Sequence, residues 1–175
     1  MNTRNLVTMA LLVAIGAALH FVMPGVFNGM KPDMMLAMMF LAIVMFPEKK
    51  NVLLLGLVTG LISGLTSTFP GGFVPNLFDK PITAFVFYGL YLLIAKKAGN
   101  IAGVSILTAI CTIVSGTIFL GSAAAIVGLP GPFAVLFAGV VLPATLLNGM
   151  AMFILYPIVK TILKRSNITG QTQSL

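Results

Sequence analysis

Tryptophan is absent from this 175-residue chain, cysteine and histidine occur once each, and acidic residues only three times. A single cysteine cannot build a disulfide framework, and Cys111, inside an apolar run, reads as a small buried residue. Charged residues make up 7 % of the chain, against about 25 % in soluble domains, so there is too little charge to cover a water-facing surface. A soluble domain is excluded. Also missing are an HExxH pair, a Walker A glycine loop, and a serine or cysteine paired with a base. The chain is therefore not expected to be an enzyme, to hold a metal or resident cofactor, or to hydrolyse ATP itself.

What remains is oily: 59 % hydrophobic residues, with 11 Met, 18 Gly and 10 Pro. That mixture suits helices packed in a bilayer, where small residues allow close approach and neighbours satisfy broken backbone bonds. A span needs about 20 apolar residues. Apolar runs predict six transmembrane helices, over 6–23, 33–46, 51–67, 78–95, 101–127 and 133–163, followed by a polar tail at 166–175. The expectation is an all-α polytopic membrane protein made of one integral membrane domain. The opening segment, with Arg4 as its charged flank, also has signal-peptide character, but five spans follow it and it reads as the first helix.

Basic residues set the orientation, because cytoplasmic loops collect Lys and Arg. Arg4, Lys49, Lys50, Lys96, Lys97, Lys160, Lys164 and Arg165 fall at the N-terminus, in loops 2–3 and 4–5, and at the C-terminal end. These alternate connections share one face, so both termini are expected in the cytoplasm. The net charge of +7 is thus a topology signal and implies no nucleic-acid partner.

The two remaining lysines, Lys31 and Lys80, are expected outside, each with an aspartate beside a proline: "KPD" at 31–33 and "DKP" at 79–81. The outer loops also share Pro-Gly-x-Phe, as "PGVF" (24–27), "PGGF" (70–73) and "PGPF" (130–133). Pro-Gly favours a type II turn, since proline presets φ and glycine takes the positive φ that follows. One reading makes these turns helix-ending devices with interfacial aromatics, and each Lys/Asp pair self-neutralising. The other makes them a lid over a pocket for an amino acid. Asp33 or Asp79 would then meet the ammonium, Lys31 or Lys80 the carboxylate, and Phe27, Phe73 and Phe133 the side chain, with Asn28, Asn76 and Asn148 as further polar candidates.

No charged residue is expected near the centre of a span, which disfavours a proton-driven carrier. His20 reads as an interfacial polar residue first and pocket lining second. Asn148, inside the sixth run, needs a partner if buried and reads more readily as helix glue. Ala10, Ala14 and Ala18 in the first helix, and Gly56, Gly60 and Gly64 in the third, form small-x-x-x-small stripes suited to close packing, either internal or against another subunit.

The stretches "MALLVAIGAALH", "GMKPDMMLAMMF", "TGLISGLTSTFPGGFVPNLFDKP", "VGLPGPFAVLFAGVVLPATLLN" and "YPIVKTILKR" resemble the bacterial tryptophan transporter family. That family is in turn similar to the substrate-binding S components of energy-coupling-factor (ECF) transporters. The resemblance implies six helices with both ends in the cytoplasm of a bacterial cell membrane, and an outward pocket for tryptophan or a similar aromatic amino acid. It also implies a transmembrane coupling subunit served by cytoplasmic ATPases. Ala10, Ala14 and Ala18 match the alanine stripe by which many S components dock onto that subunit. A tryptophan importer made without tryptophan is consistent with this reading. Two alternatives stay open: a stand-alone ion-coupled carrier for aromatic amino acids, and a membrane scaffold without substrate.

Overall fold

The computed structural model of the chain describes residues 3–23, 33–98 and 100–165. Among them every regular element is helical: α1 (Thr3–Val22), α2 (Met34–Met45), α3 (Lys49–Leu65), α4 (Phe73–Ala98), α5 (Ile101–Ile126), α6 (Phe133–Leu136) and α7 (Leu142–Arg165). A π-helical turn, Phe137–Val141, links α6 to α7, so these pieces form one rod and the described residues form six rods. Four stretches are long and apolar enough to cross a membrane: α1, Phe73–Ile94, α5 and Phe133–Ile162. The chain is an all-α, multi-pass membrane protein.

Helix α2 is the axis of the bundle. Its 12 residues reach only about 18 Å, short of the roughly 30 Å hydrocarbon core. It need not face lipid at all, because every residue from Met35 to Met45 is buried. A helix apolar on all sides belongs inside protein, and α2 touches α1, α3, α4, α5 and α7. Phe40 of α2 stacks on Phe87 of α4 with ring centres 4.2 Å apart. Around this axis consecutive rods pack as neighbours: α3 on α4, α4 on α5, α5 on α7.

The glycine stripe of α3 is an internal seam. A Cβ added at Gly56 would stand 2.8 Å from Pro81 Cα, one at Gly60 3.0 Å from the Asn76 carbonyl, and one at Gly64 2.9 Å from the Phe73 ring. Two backbones therefore touch where side chains are missing. Of the two readings of this stripe, internal packing or a subunit contact, the first holds: α4 occupies it.

Helix α4 starts at Phe73, five residues before the expected helix over 78–95. The apolar run breaks at Asp79 and Lys80, but the backbone continues because both side chains find partners inside the bundle. Asn76 steadies the first turn by donating from Nδ2 to the Gly72 carbonyl at 2.8 Å. Ahead of it, Gly72 N–H closes a turn onto the Phe69 carbonyl at 2.9 Å, with Gly71 at φ +69°. The "PGPF" copy is built differently, since there the positive φ falls on Gly128, just after α5, and not on Gly131. The "PGVF" copy lies outside the described residues.

The π-helical turn in the sixth rod has a local cause. Pro143 has no N–H, and in an α-helix its ring would press on the carbonyl four residues back. The wider turn relieves that contact, and Leu142 N–H reaches back to the Phe137 carbonyl. Val141 then fills a notch in α5 at Gly116, where an added Cβ would stand only 2.5 Å from Val141 Cγ1.

Candidate functional site

One end of the bundle holds a cavity of about 100 Å³, where α1, α3 and α5 finish and α2, α4 and the sixth rod begin. Its wall divides into a polar floor and an apolar cover. The floor carries His20, Asp33, Asp79, Lys80, Ser115 and Thr112. The cover includes Leu36, Phe69, Phe119, Leu120 and Val140, with Phe69 and Phe119 edge to face at 5.3 Å. The volume is below the ~300–1,000 Å³ of sites that enclose drug-sized ligands.

Lys80 is the hub of the floor. Its Nζ lies 2.6 Å from Asp33 Oδ2 and 2.5 Å from Asp79 Oδ2, so one ammonium bridges two carboxylates. Asp79 is fully buried and its lone pairs are in use: Ser115 Oγ donates to Oδ2 at 2.8 Å, and Thr83 Oγ1 to Oδ1 at 2.8 Å. Asp33 differs. It caps α2 through a 3.3 Å bond from Leu36 N–H, and its side chain, in the cavity wall, is 21 % exposed. His20 is buried with Nδ1 3.8 Å from Asp33 Oδ1, too far for a hydrogen bond, and Nδ1 has no other such partner. Among the described residues the floor thus brings two carboxyl groups, one amine and one imidazole together.

A second polar layer lies behind the floor. Asn148 Nδ2 donates to Thr112 Oγ1 at 3.3 Å, and Thr112 Oγ1 donates to the Thr108 carbonyl at 2.8 Å. Asn148 is completely buried and does not line the cavity, so it acts as glue between α7 and α5.

The structure brings together four of the residues singled out from sequence: Asp33, Asn76, Asp79 and Lys80 all line the cavity. It separates the phenylalanines from them. Phe73 begins α4 at 38 % exposure over Gly64, and Phe133, at 40 %, stacks on Phe137 at 6.0 Å. Neither ring reaches the cavity. Phe27, Asn28 and Lys31 lie outside the described residues. The placement of Asp79 and Lys80 in an outer loop at the mouth of the fourth helix is corrected as well, since they sit two turns inside α4 and are buried. Buried ionisable groups inside a span weaken the argument that disfavoured an ion-driven carrier.

Sequence reasoning missed the aromatic wall, Phe69 and Phe119, and the hydroxyls of Ser63, Thr112 and Ser115. A signal existed for the hydroxyls: Thr108, Thr112 and Ser115 recur at helical spacing and mark one face of α5. Among the described residues no group of three His, Cys, Asp or Glu could hold a metal ion.

Elsewhere, Ala10, Ala14 and Ala18 are exposed on α1. Ala10 and Ala14 border an apolar groove completed by Leu6, Met9, Val13 and, from α3, Leu55 and Val58.

Comparison with known proteins places the chain. The family described as tryptophan transporter TrpP matches residues 2–164. A probable tryptophan transport protein of Bacillus subtilis is 57 % identical over 167 residues, covering 95 % of this chain and 96 % of the relative. Proteins given the same description in Clostridium acetobutylicum and Clostridium perfringens are 39 % and 38 % identical. Those alignments cover 91 % and 95 % of this chain, and 94 % and 97 % of the relatives. No solved structure matches the chain. With the family match running across all six rods, the chain belongs to the tryptophan transporter TrpP family.

Proposed function

We propose that this protein takes up tryptophan across the membrane, binding it in the cavity between His20, Asp33, Lys80 and the Phe69–Phe119 wall. The observation that carries the reading is the charged floor beneath an apolar, aromatic cover in a member of this family. Polar groups at one end fix a zwitterion, and apolar surface at the other takes its ring. Asp33 is the open acceptor for the ammonium, while Asp79 holds Lys80 in place. With Lys80 engaged by both aspartates, Lys31 is the other lysine candidate for the carboxylate. Seating an indole in a cavity of about 100 Å³ requires the wall to widen, most directly by separating Phe69 from Phe119.

The cavity lies at the end opposite Arg4, Lys49, Lys50 and Lys160, so the positive-inside rule puts it at the outer face and both termini in the cytoplasm. The role is transport rather than catalysis. Energy would come from cytoplasmic ATPases through a transmembrane coupling subunit docked on the stripe Ala10, Ala14 and Ala18. The exposure of all three alanines, and the apolar groove beside Ala10 and Ala14, support that contact. A second reading, a stand-alone ion-coupled carrier, gains support from the buried Asp79 and Lys80, because intramembrane ionisable residues commonly mark ion pathways.

Labelled tryptophan uptake into vesicles separates the two. Vesicles holding only this protein should bind tryptophan without concentrating it, and accumulation should require the coupling module and ATP. Concentration driven by an ion gradient alone would defeat the coupled reading and establish the other.

A further inference from the structure

The floor is built to receive a cation. Two acidic side chains and one basic side chain line the cavity, and the basic one is already committed, since Lys80 bonds both Asp33 and Asp79. Asp79 has no room for a ligand, being fully buried with acceptors occupied by Lys80, Ser115 and Thr83. Asp33 is the accessible carboxylate, and its Oδ1 holds only the 3.3 Å capping bond. Beside it the buried His20 Nδ1, in the cavity wall, lacks a hydrogen-bond partner. In the tautomer protonated on Nε2, this nitrogen is a second acceptor 3.8 Å from the first. One ammonium group can donate to both at ordinary bond lengths of about 2.7–3.2 Å. A carboxylate entering the same floor meets, among the described residues, two aspartate side chains and a lysine whose two shortest contacts are already to them.

We infer that the site recognises its ligand through the amine, so that arylalkyl amine cations without a carboxylate are ligands alongside the amino acid. This rests on the reading that an indole-bearing ligand occupies the cavity. It narrows that reading by making Asp33, with His20, the specificity-determining pair, and by assigning Lys80 to positioning the two carboxylates.

The absence of tryptophan from the chain supplies the assay, because excitation at the red edge of indole absorption leaves the three tyrosines dark, so all emission is the ligand's and its anisotropy separates bound from free. Purified protein in detergent is titrated with tryptophan, tryptamine and indole-3-propionate. Tryptamine should bind within about threefold of tryptophan, and indole-3-propionate at least a hundredfold more weakly, because removing the amine leaves a buried acceptor unpaired. Asp33→Asn, which keeps the helix cap, should weaken tryptophan and tryptamine by the same factor, tenfold or more. Tryptamine binding tenfold or more below tryptophan, with the difference abolished in Lys31→Gln, would overturn the inference and give carboxylate recognition to Lys31. The outcomes also separate the two levels of the argument. Tryptophan bound and tryptamine refused sinks the inference alone, tryptamine bound and tryptophan refused sinks the tryptophan reading alone, and refusal of both sinks the two together.

Discussion

Lys80→Met isolates what the bridging ammonium does for the fold. The substitution keeps an unbranched side chain as far as Cε and removes the charged nitrogen beyond it. Asp33 Oδ2 and Asp79 Oδ2 now face each other across the vacated position; both lay within 2.6 Å of one nitrogen, which sets them about 4.5 Å apart at ordinary bond angles. Two unit charges at that distance repel by about 3–4 kcal/mol at an effective dielectric of about 20. Loss of a buried partner costs about 3–5 kcal/mol in general, so the two figures agree in scale. The double variant Lys80→Met/Asp79→Asn removes the repulsion and restores the original net charge. Asparagine can still accept from Ser115 while Thr83 turns its hydroxyl to accept in its place. The double variant should therefore recover about 3–4 kcal/mol, or roughly 6–16 °C of melting temperature at about 2–4 °C per kcal/mol for a chain of this size. Cys111, buried and the only cysteine, reports unfolding through a thiol-reactive fluorogenic maleimide during a thermal ramp. A Lys80→Met variant melting within about 2 °C of the parent, or a double variant no more stable than the single one, would refute the bridged-charge account.

Gly56→Ala should lower the melting temperature, since overpacking against the Pro81 backbone costs about 1–3 kcal/mol and only about 0.5–1 returns from better helix propensity. Gly89→Ala, with nothing within 4 Å of the added carbon, should be neutral or stabilising in the same assay. Ala14→Leu should abolish coupled uptake while tryptophan binding by the isolated protein survives; loss of both would make the stripe an internal contact. Topology reporters fused at Lys49 and Lys96 should read cytoplasmic and one at Thr68 external, and a cytoplasmic reading at Thr68 would reverse the assigned orientation.

The membrane class and the number of rods were legible because both depend on composition and apolar run length, which the bilayer imposes one segment at a time. Asp79 and Lys80 were legible as unusual but not in their depth. A run count stops at a charge, whereas a helix continues through one when Ser115, thirty-six residues away, supplies a partner. The repeated Pro-Gly-x-Phe drew attention to the wrong rings. It is a signal about local turns, and the third copy does not even share the backbone of the second. Phe69 sits one residue before the motif and carries no pattern of its own; it lines the cavity because the Phe69–Gly72 turn folds back over the bundle. The glycine stripe announced close packing from its spacing alone, but which helix would fill it is a tertiary fact, settled by the Pro81 and Asn76 backbones.

The π-helical turn at Phe137–Val141 has a consequence for insertions and deletions. Elsewhere along the sixth rod, losing one residue turns all that follows by about 100°, and a loss between the wide turn and Asn148 is enough to swing Asn148 away from Thr112. The wide turn already carries one residue more than a straight rod needs, so a deletion there, at Gly139 for example, is absorbed locally and keeps the downstream phase. Ala144 would stay at the cavity and Asn148 opposite α5, with the Pro143 ring brought back onto the preceding turn. Chain length and helix phase are thus uncoupled at this one place in the rod, and Pro143 is what keeps the spare residue there.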